Sequence, residues 1–288
     1  MSFVTTKEML KKAQKERYAV GAFNANNMEI IQAIVETAEE EKAPVILQAS
    51  QGAIKYAGLE SIVAMVKVMA EKAKVPVALH LDHGTDYYQN IKCLRAGFTS
   101  LMYDGSKLPF DENVKMTKKV VEMAHTCGIP VEAELGQIGK MGDSDEPGVA
   151  LEKVKGSMAV PEEAAKFVEL TEIDFLAAAV GTIHGCRTPF AKLDIPRIEK
   201  IRELTGVPLV LHGASGANDE EVRKGIAAGI CKINIDTRIR LYFVKKMREI
   251  LEKNPEEIDP RKILGPAKEA AKEIIRDRMR VFGCNGKA

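Results

Sequence analysis

Short apolar runs alternate along the whole chain with stretches whose apolar residues recur at helical spacing. The runs Ala19–Asn24, Val45–Ser50, Val77–Asp82, Ser100–Tyr103, Val131–Glu134, Phe175–Ala179, Leu209–His212 and Lys232–Ile235 read as eight strands. Their apolar content suits strands buried on both faces, as parallel sheets require. Between and after them, Asn27–Lys42, Leu59–Lys74, Asp86–Ala96, Asp111–Cys127, Pro161–Leu170, Ile195–Thr205, Asp219–Ala227 and Thr237–Asn254 read as helices. Pro44, Pro76, Pro130 and Pro208 sit at or just before a strand, where proline ends a helix at little cost to the sheet. Gly97, Gly128, Gly206 and Gly229 follow helices, where a left-handed cap favours glycine. Eight βα units in series predict an α/β fold: a single (β/α)₈ or TIM barrel spanning residues 1–288. An open doubly wound sheet is the alternative. One more amphipathic helix, Pro266–Arg276, is extra to the barrel and is expected to cover its base or an oligomer contact. The connection from Gly136 to about Val160 is far longer than the others, rich in glycine and acid. It is expected to be a mobile flap over an active site, with a passive surface insertion as the alternative.

Composition narrows the class. The 288 residues are 45% apolar and 29% charged, with a formal net charge of +1. Such a balance gives no electrostatic reason to seek nucleic acid or an anionic membrane. No apolar run reaches the roughly 18 residues of a membrane span, and the N-terminal segment is not expected to be a signal peptide. The five cysteines, Cys93, Cys127, Cys186, Cys231 and Cys284, are odd in number and include no Cys-x-x-Cys pair. That argues against a disulfide framework and fits a reducing, cytoplasmic setting. Cys186 alone lies near the candidate chemistry and reads as a small loop residue.

In a barrel, chemistry gathers where strands end and βα loops begin. Here every such end is polar: Asn24, Ser50, Asp82-His83, Tyr103-Asp104, Glu134, Thr182 to Gly185, His212 to Gly216, and Asn234 to Thr237. Three of the five histidines, His83, His184 and His212, fall there. Three imidazoles on one rim make an open zinc site with positions left for substrate oxygens. His80 shares the strand side of Asp82 and reads as a buried, hydrogen-bonded residue, and His125 as solvent-facing. Gly213-Ala214-Ser215-Gly216 and Asn234-Ile235-Asp236-Thr237 follow the seventh and eighth strands, the usual barrel phosphate site. Ser215, Asn218 and Thr237 equally suit helix N-caps. Asp82 is placed to exchange a proton with a metal-bound substrate. Asp104 and Glu134 suit a second metal position or the support of the first, with burial against Lys or Arg as the alternative. Lys232, Arg238 and Arg240 are candidates for a second phosphate, and a solvated helix face is the alternative for the arginines.

These segments bring a family into view. Ala78-Leu79-His80-Leu81-Asp82-His83-Gly84, Val131-Glu132-Ala133-Glu134-Leu135-Gly136, Gly181-Thr182-Ile183-His184-Gly185, Leu211-His212-Gly213-Ala214-Ser215-Gly216 and Lys232-Ile233-Asn234-Ile235-Asp236-Thr237 resemble, in order, signature segments of class II fructose-1,6-bisphosphate aldolases. The resemblance implies reversible cleavage of fructose 1,6-bisphosphate to dihydroxyacetone phosphate and glyceraldehyde 3-phosphate, with Zn²⁺ stabilising the enediolate. It implies His83, His184 and His212 as zinc ligands, Asp104 and Glu134 at a second metal position, and Asp82 as proton donor. Gly185, Gly213, Ala214, Ser215, Asn234, Ile235, Asp236 and Thr237 would hold the triose phosphate, with a monovalent cation, Na⁺ or K⁺, nearby. Asn24 and Ser50 match positions lining the substrate cleft. A homo-oligomer, dimer or tetramer, is expected from the family. The flap's base is open among Asp143, Asp145 and Glu146, and Arg238 departs from the acid or amide of many members. Relatives acting on tagatose bisphosphate commonly carry alanine where this chain has Asp236, so the resemblance leans toward fructose.

Rival readings make different demands. A Schiff-base aldolase needs a lysine inside the barrel at a strand end; the sixth strand has none, and Lys232 is read as starting the eighth. A barrel metal hydrolase lacks its usual His-x-His on the first strand, which ends Phe23-Asn24-Ala25-Asn26. A non-catalytic phosphosugar-binding barrel would bind dihydroxyacetone phosphate without exchanging its C3 proton.

Overall fold

The computed structural model describes residues 2–140, 157–185 and 191–288. Eight parallel strands form the sheet: β1 (Val20–Asn24), β2 (Val45–Ser50), β3 (Val77–Asp82), β4 (Leu101–Tyr103), β5 (Val131–Leu135), β7 (Phe175–Ala178), β9 (Leu209–Leu211) and β10 (Ile230–Ile235). Their order is β3-β2-β1-β10-β9-β7-β5-β4. The edge strands β3 and β4 meet through the parallel bridges His80↔Ser100 and Gly84↔Tyr103, so the sheet closes into a barrel. A two-stranded pair, β6 (Gly139–Lys140) with β8 (Ile183–His184), sits outside that sheet. It was not legible as strand because each piece has only two residues.

The helices are α1 (Thr6–Glu16), α2 (Met28–Glu41), α3 (Gln51–Ala57), α4 (Leu59–Lys72), α5 (Tyr87–Ala96), α6 (Phe110–Thr126), α7 (Pro161–Thr171), α8 (Ile195–Thr205), α9 (Asp219–Ala228), α10 (Thr237–Lys253) and α11 (Pro260–Phe282). Local chemistry fixes several starts. Asn27, Asp86, Asp194, Asn218 and Asp259 each accept a backbone N–H of the first turn. No helix among the described residues is long and apolar enough to cross a membrane.

One expectation about the C-terminus changes. The last helix is longer than expected, because Pro266 lies inside it rather than near its start; Pro260 occupies the first turn behind the Asp259 cap. Its C-terminal end reaches the base, where the Ala19 N–H donates to Phe282 O at 3.0 Å. The helix packs on α2 and α10, where Lys268 and Lys272 pair with Glu36, and Arg280 with Glu41. The base is also crossed by α1. Thr6 reaches Ser100, Lys7 reaches Asp174, Gln14 reaches Gly206 O and Arg17 reaches Ala227 O, all at or before the starts of strands.

The barrel interior is polar where it approaches the strand ends. His80, Glu132, Lys232 and His212 are all fully buried. Alternation places Glu132 and Glu134 on one face of β5, and Lys232 and Asn234 on one face of β10.

Candidate active site

The strand ends converge on a cavity of about 740 Å³ whose wall includes Asn24, Asp82, His83, Glu134, His184 and Asn234. Successive strand residues face opposite sides, yet Asp82 and His83 both line it. The strand ends at Asp82, and His83 takes a left-handed φ of 50°. A histidine tolerates that region, at some strain. The next residue must be small: a Cβ on Gly84 would lie 2.6 Å from Met102 O. Gly213 does the same for His212. It has φ 65°, and a Cβ there would meet the Ile183 backbone at 2.8 Å, so glycine lets the seventh-strand loop lie against the His184 segment.

The three imidazoles meet edge to face. Ring centroids lie 4.9 Å apart for His83 and His184, 4.7 Å for His83 and His212, and 5.7 Å for His184 and His212. One ring nitrogen of each can be brought into a set lying within 4.8 Å of one another. The outer nitrogens are already committed. His83 Nδ1 lies 2.8 Å from Asp104 Oδ2, and His212 Nε2 lies 2.7 Å from Glu132 Oε1. His83 Nε2 and His212 Nδ1 are left 3.0 Å apart, and the buried His184 Nε2 has no hydrogen-bond partner. Three nitrogen lone pairs on one point, two of them backed by carboxylates, suit a divalent transition ion.

Electrostatics agree with that donor set. Burial, then the neighbouring His83 and His212, pushes His184 down to about 3. Burial lowers His212 as well, despite Glu132. Both therefore stay neutral, the ligating form. Burial would also lower His83, but Asp82, Asp104 and Glu134 outweigh it and push it up to about 10. Positive charge is strongly favoured at that spot, whether carried by a proton or by a metal ion. A second group of potential ligands, His83, Asp104 and Glu134, shares it. Burial and then Asp104 push Glu134 up to about 8, and its buried Oε2 has no hydrogen-bond partner, with His83 Nδ1 3.7 Å away. A cation alongside would draw it back to carboxylate. Among the described residues neither Asp104 nor Glu134 pairs with Lys or Arg; Asp104 instead accepts from Ser106.

Asp82 lies between two amides. Asn24 Nδ2 donates to Oδ2 at 3.1 Å and Asn234 Nδ2 to Oδ1 at 3.2 Å. Gln48 holds Asn24 in turn, 2.7 Å from its Oδ1. Burial would raise Asp82, but the positive charge favoured at His83 and that of Lys232 outweigh it and keep it below the usual carboxylate range.

Gly185, Gly213, Ser215, Asp236, Thr237 and Arg240 line the other end of the cavity. Ala214 to Gly216 form a 3₁₀ turn, and Thr237 opens α10, whose N-terminal amides suit an anion. Arg240 pairs with Asp236 at 2.7 Å, and Asn26 reaches the same carboxylate at 3.3 Å. Ser50 also lines the cavity, while its Oγ caps α3 through Ala53 N.

Several sequence expectations are corrected here. Lys232 is no phosphate ligand: it lies in the middle of β10, fully buried, with Nζ 2.8 Å from both Glu132 Oε2 and Asn234 Oδ1. Arg238 turns to Ala217 O rather than the cavity. The side chains of Ala214 and Ile235 sit in the core, leaving only their backbones for a ligand. Of the three cap candidates only Asn218 caps a helix. His125 is exposed, as expected, and its Nε2 also bonds to Asp174 Oδ2. Cys186 and the flap residues Asp143, Asp145 and Glu146 lie outside the described residues.

Sequence reasoning missed Gln48, Ser106, Lys107 and Glu132. Gln48 and Glu132 could have been found by counting two back from Ser50 and Glu134, since that spacing shares a strand face. Ser106 and Lys107, both on the cavity wall, carried no comparable signal.

Comparison with known proteins gives a single direction. Residues 4–287 match the family model described as fructose-bisphosphate aldolase class-II. A fructose-bisphosphate aldolase from Thermus caldophilus is 48% identical, over 99% of each chain. One from Geobacillus stearothermophilus is 48% identical, over 100% of this chain and 99% of its own. Among solved structures, the YdjI aldolase from Escherichia coli K12 superposes with a TM-score of 0.84 at 33% identity, over 99% of each chain.

Proposed function

The chain belongs to the class II fructose-bisphosphate aldolase family, and from that premise we infer that it catalyses the reversible aldol cleavage of fructose 1,6-bisphosphate. The products are dihydroxyacetone phosphate and glyceraldehyde 3-phosphate. The observation that supports this most is the meeting of His83, His184 and His212 beside the amide-held carboxylate of Asp82.

The family is metal-dependent, and the donor set here fits a divalent ion, with Zn²⁺ our reading of its identity. His83 through Nε2, His212 through Nδ1 and His184 would hold it, with Asp104 and Glu134 serving a second position. When bound, the ion supplies Lewis-acid stabilisation of the charge left on the triose as C3–C4 breaks, a matter of several kcal/mol. The chain's own groups do the rest. Asp82, kept ionised by its surroundings, takes the C4 hydroxyl proton in cleavage and returns it in condensation. Glu134, or a carboxylate of the segment containing Asp143, Asp145 and Glu146, handles the C3 proton. Gly185, the Gly213 to Ser215 turn and the N-terminus of α10 fix the triose phosphate, with a monovalent cation, Na⁺ or K⁺, as a further expected ligand there. Arg240, with Lys107 across the cavity, serves the second phosphate.

Further readings accompany this one. Residues 1–288 form one domain, and the enzyme works in the cytoplasm. Leu241, Tyr242 and Val244 on α10 are 37–46% exposed, which supports a homo-oligomer, dimer or tetramer.

The test is a cleavage assay on fructose and tagatose bisphosphates before and after chelation. Cleavage of the fructose ester that stops in EDTA and returns with Zn²⁺ is expected. Turnover surviving complete demetallation, or borohydride trapping of substrate on a lysine, would replace this mechanism with another.

A further inference from the structure

We propose that the buried ion pair between Glu132 and Lys232 is a positioning device that sets the ring orientation of His212 and the amide orientation of Asn234 at once. The inference rests on the aldolase reading above. Both charges are wholly removed from water, on facing strands β5 and β10, 2.8 Å apart. A barrel core could be filled with aliphatic side chains without that desolvation, so the contacts made by the pair matter more than the pair itself.

Those contacts join two ions of fixed hydrogen-bonding sense to two groups that are intrinsically ambiguous. A neutral imidazole can carry its proton on either nitrogen, and an amide can present either its oxygen or its NH₂. A carboxylate only accepts. Glu132 Oε1, 2.7 Å from His212 Nε2, therefore keeps the proton on Nε2. The lone pair is left on Nδ1, the atom 3.0 Å from His83 Nε2 where the three histidines meet. An ammonium only donates. Lys232 Nζ, 2.8 Å from Asn234 Oδ1, therefore holds the amide oxygen inward and turns Nδ2 toward Asp82 Oδ1, 3.2 Å away. One pair thus addresses both the metal-binding nitrogen and the proton-transferring carboxylate. His80, 3.4 Å from Glu132 Oε2, closes the pair's remaining side and is anchored through Ser100 to Thr6 of α1.

Glu132→Gln alone separates this from a merely structural role. Lys232 would claim the new amide oxygen and leave NH₂ facing His212 Nε2, which must then accept. The proton moves to Nδ1, the wrong nitrogen for the metal. Two measurements read this: imidazole ¹⁵N shifts in metal-free protein, and Co²⁺ affinity by titration of its visible spectrum. We expect the Nδ1–H form and affinity lower by about 10- to 100-fold. The double variant Glu132→Gln/Lys232→Met frees the amide to turn its oxygen to His212. It should regain the Nε2–H form and most of the lost Co²⁺ affinity, with kcat still reduced at full metal occupancy because Asn234 is no longer held. A single variant with wild-type tautomer and affinity overturns the proposal, as does a double variant no better than the single. Should the single variant not fold, the double buries no unpaired charge and carries the test. A wild-type kcat in it overturns the proposal, and a lowered kcat with intact Co²⁺ binding supports it. If wild-type protein itself fails to cleave fructose 1,6-bisphosphate, the aldolase reading falls, while the tautomer and Co²⁺ results still judge the pair.

Discussion

Asn24 donates its side-chain amide to Asp82 Oδ2 across 3.1 Å, from the end of one strand to the end of another two places round the barrel. With Asn234 on the other oxygen, the Asp82 carboxylate is held in place yet still lines the cavity. Asp82→Ala should therefore retain the metal, because none of the three imidazoles depends on it for its tautomer. Turnover should drop by about 10²- to 10⁴-fold, the range for loss of a general acid–base. Asn24→Ala should lower kcat less and leave metal content unchanged. Metal analysis beside a coupled cleavage assay decides: a fully active Asp82→Ala enzyme would remove the proton-transfer role.

His212 offers the complementary result. It is fully buried and carries a nitrogen of the candidate metal set, so His212→Ala takes away a proposed ligand and leaves Glu132 Oε1 without its imidazole partner. Metal retention and cleavage should disappear together, and added Zn²⁺ should restore neither at concentrations that restore chelated wild-type enzyme. Activity regained by zinc alone would show that two histidines suffice.

Most of the barrel was legible because its signals are local. Prolines before β2, β3, β5 and β9 and the periodicity of the helices placed those elements within a residue or two. Most of the candidate site residues at strand ends do line the cavity, because barrel strands in one direction bring their ends to one rim. What escaped depended on contacts distant in sequence. Glu132 and Lys232 lie 100 positions apart, and neither strand alone reveals that their charges meet inside the barrel. Lys232 was misplaced because β10 begins at Ile230, two residues earlier than its polar pattern suggested. The role of α1 at the base was hidden too. Its helical pattern is plain, but only the fold shows that Thr6, Lys7 and Gln14 reach three different strand starts.

Asp236 gives a prediction about substrate choice. Its carboxylate ties Arg240 at 2.7 Å and Asn26 at 3.3 Å beside the cavity. Asp236→Ala would release the guanidinium from the position proposed for it to meet a phosphate. The expected outcome is a higher KM for fructose 1,6-bisphosphate and about a 10-fold smaller preference over the tagatose ester, on the scale of one lost polar contact. Steady-state kinetics on both esters measure it. An unchanged kcat/KM ratio would place the C4 discrimination elsewhere.

Asp174 ties the base together and gives a prediction in pH. Its side chain is 7% exposed and meets Lys7 at 2.9 Å, His125 Nε2 at 2.8 Å and the Val131 amide at 2.9 Å. Burial raises its carboxyl, but these three partners outweigh it and hold the group below the usual range. A depressed native value means that the folded state binds this proton less readily than the unfolded one. The contribution is therefore full above the unfolded value, about 3.9, and is lost as pH falls through the native value. Lys7 is half-exposed, so screening leaves the amide and His125 as the main partners. Asp174→Asn should cost about 1.5–3 kcal/mol at pH 7, the scale of a hydrogen bond to a charged group. That corresponds to a Tm lower by about 3–10 °C for a domain of this size. Thermal melts from pH 7 to pH 3 should show the gap between variant and wild type closing below about pH 4. A gap constant across that range would mean that the carboxylate's charge contributes nothing to holding α1 on the barrel.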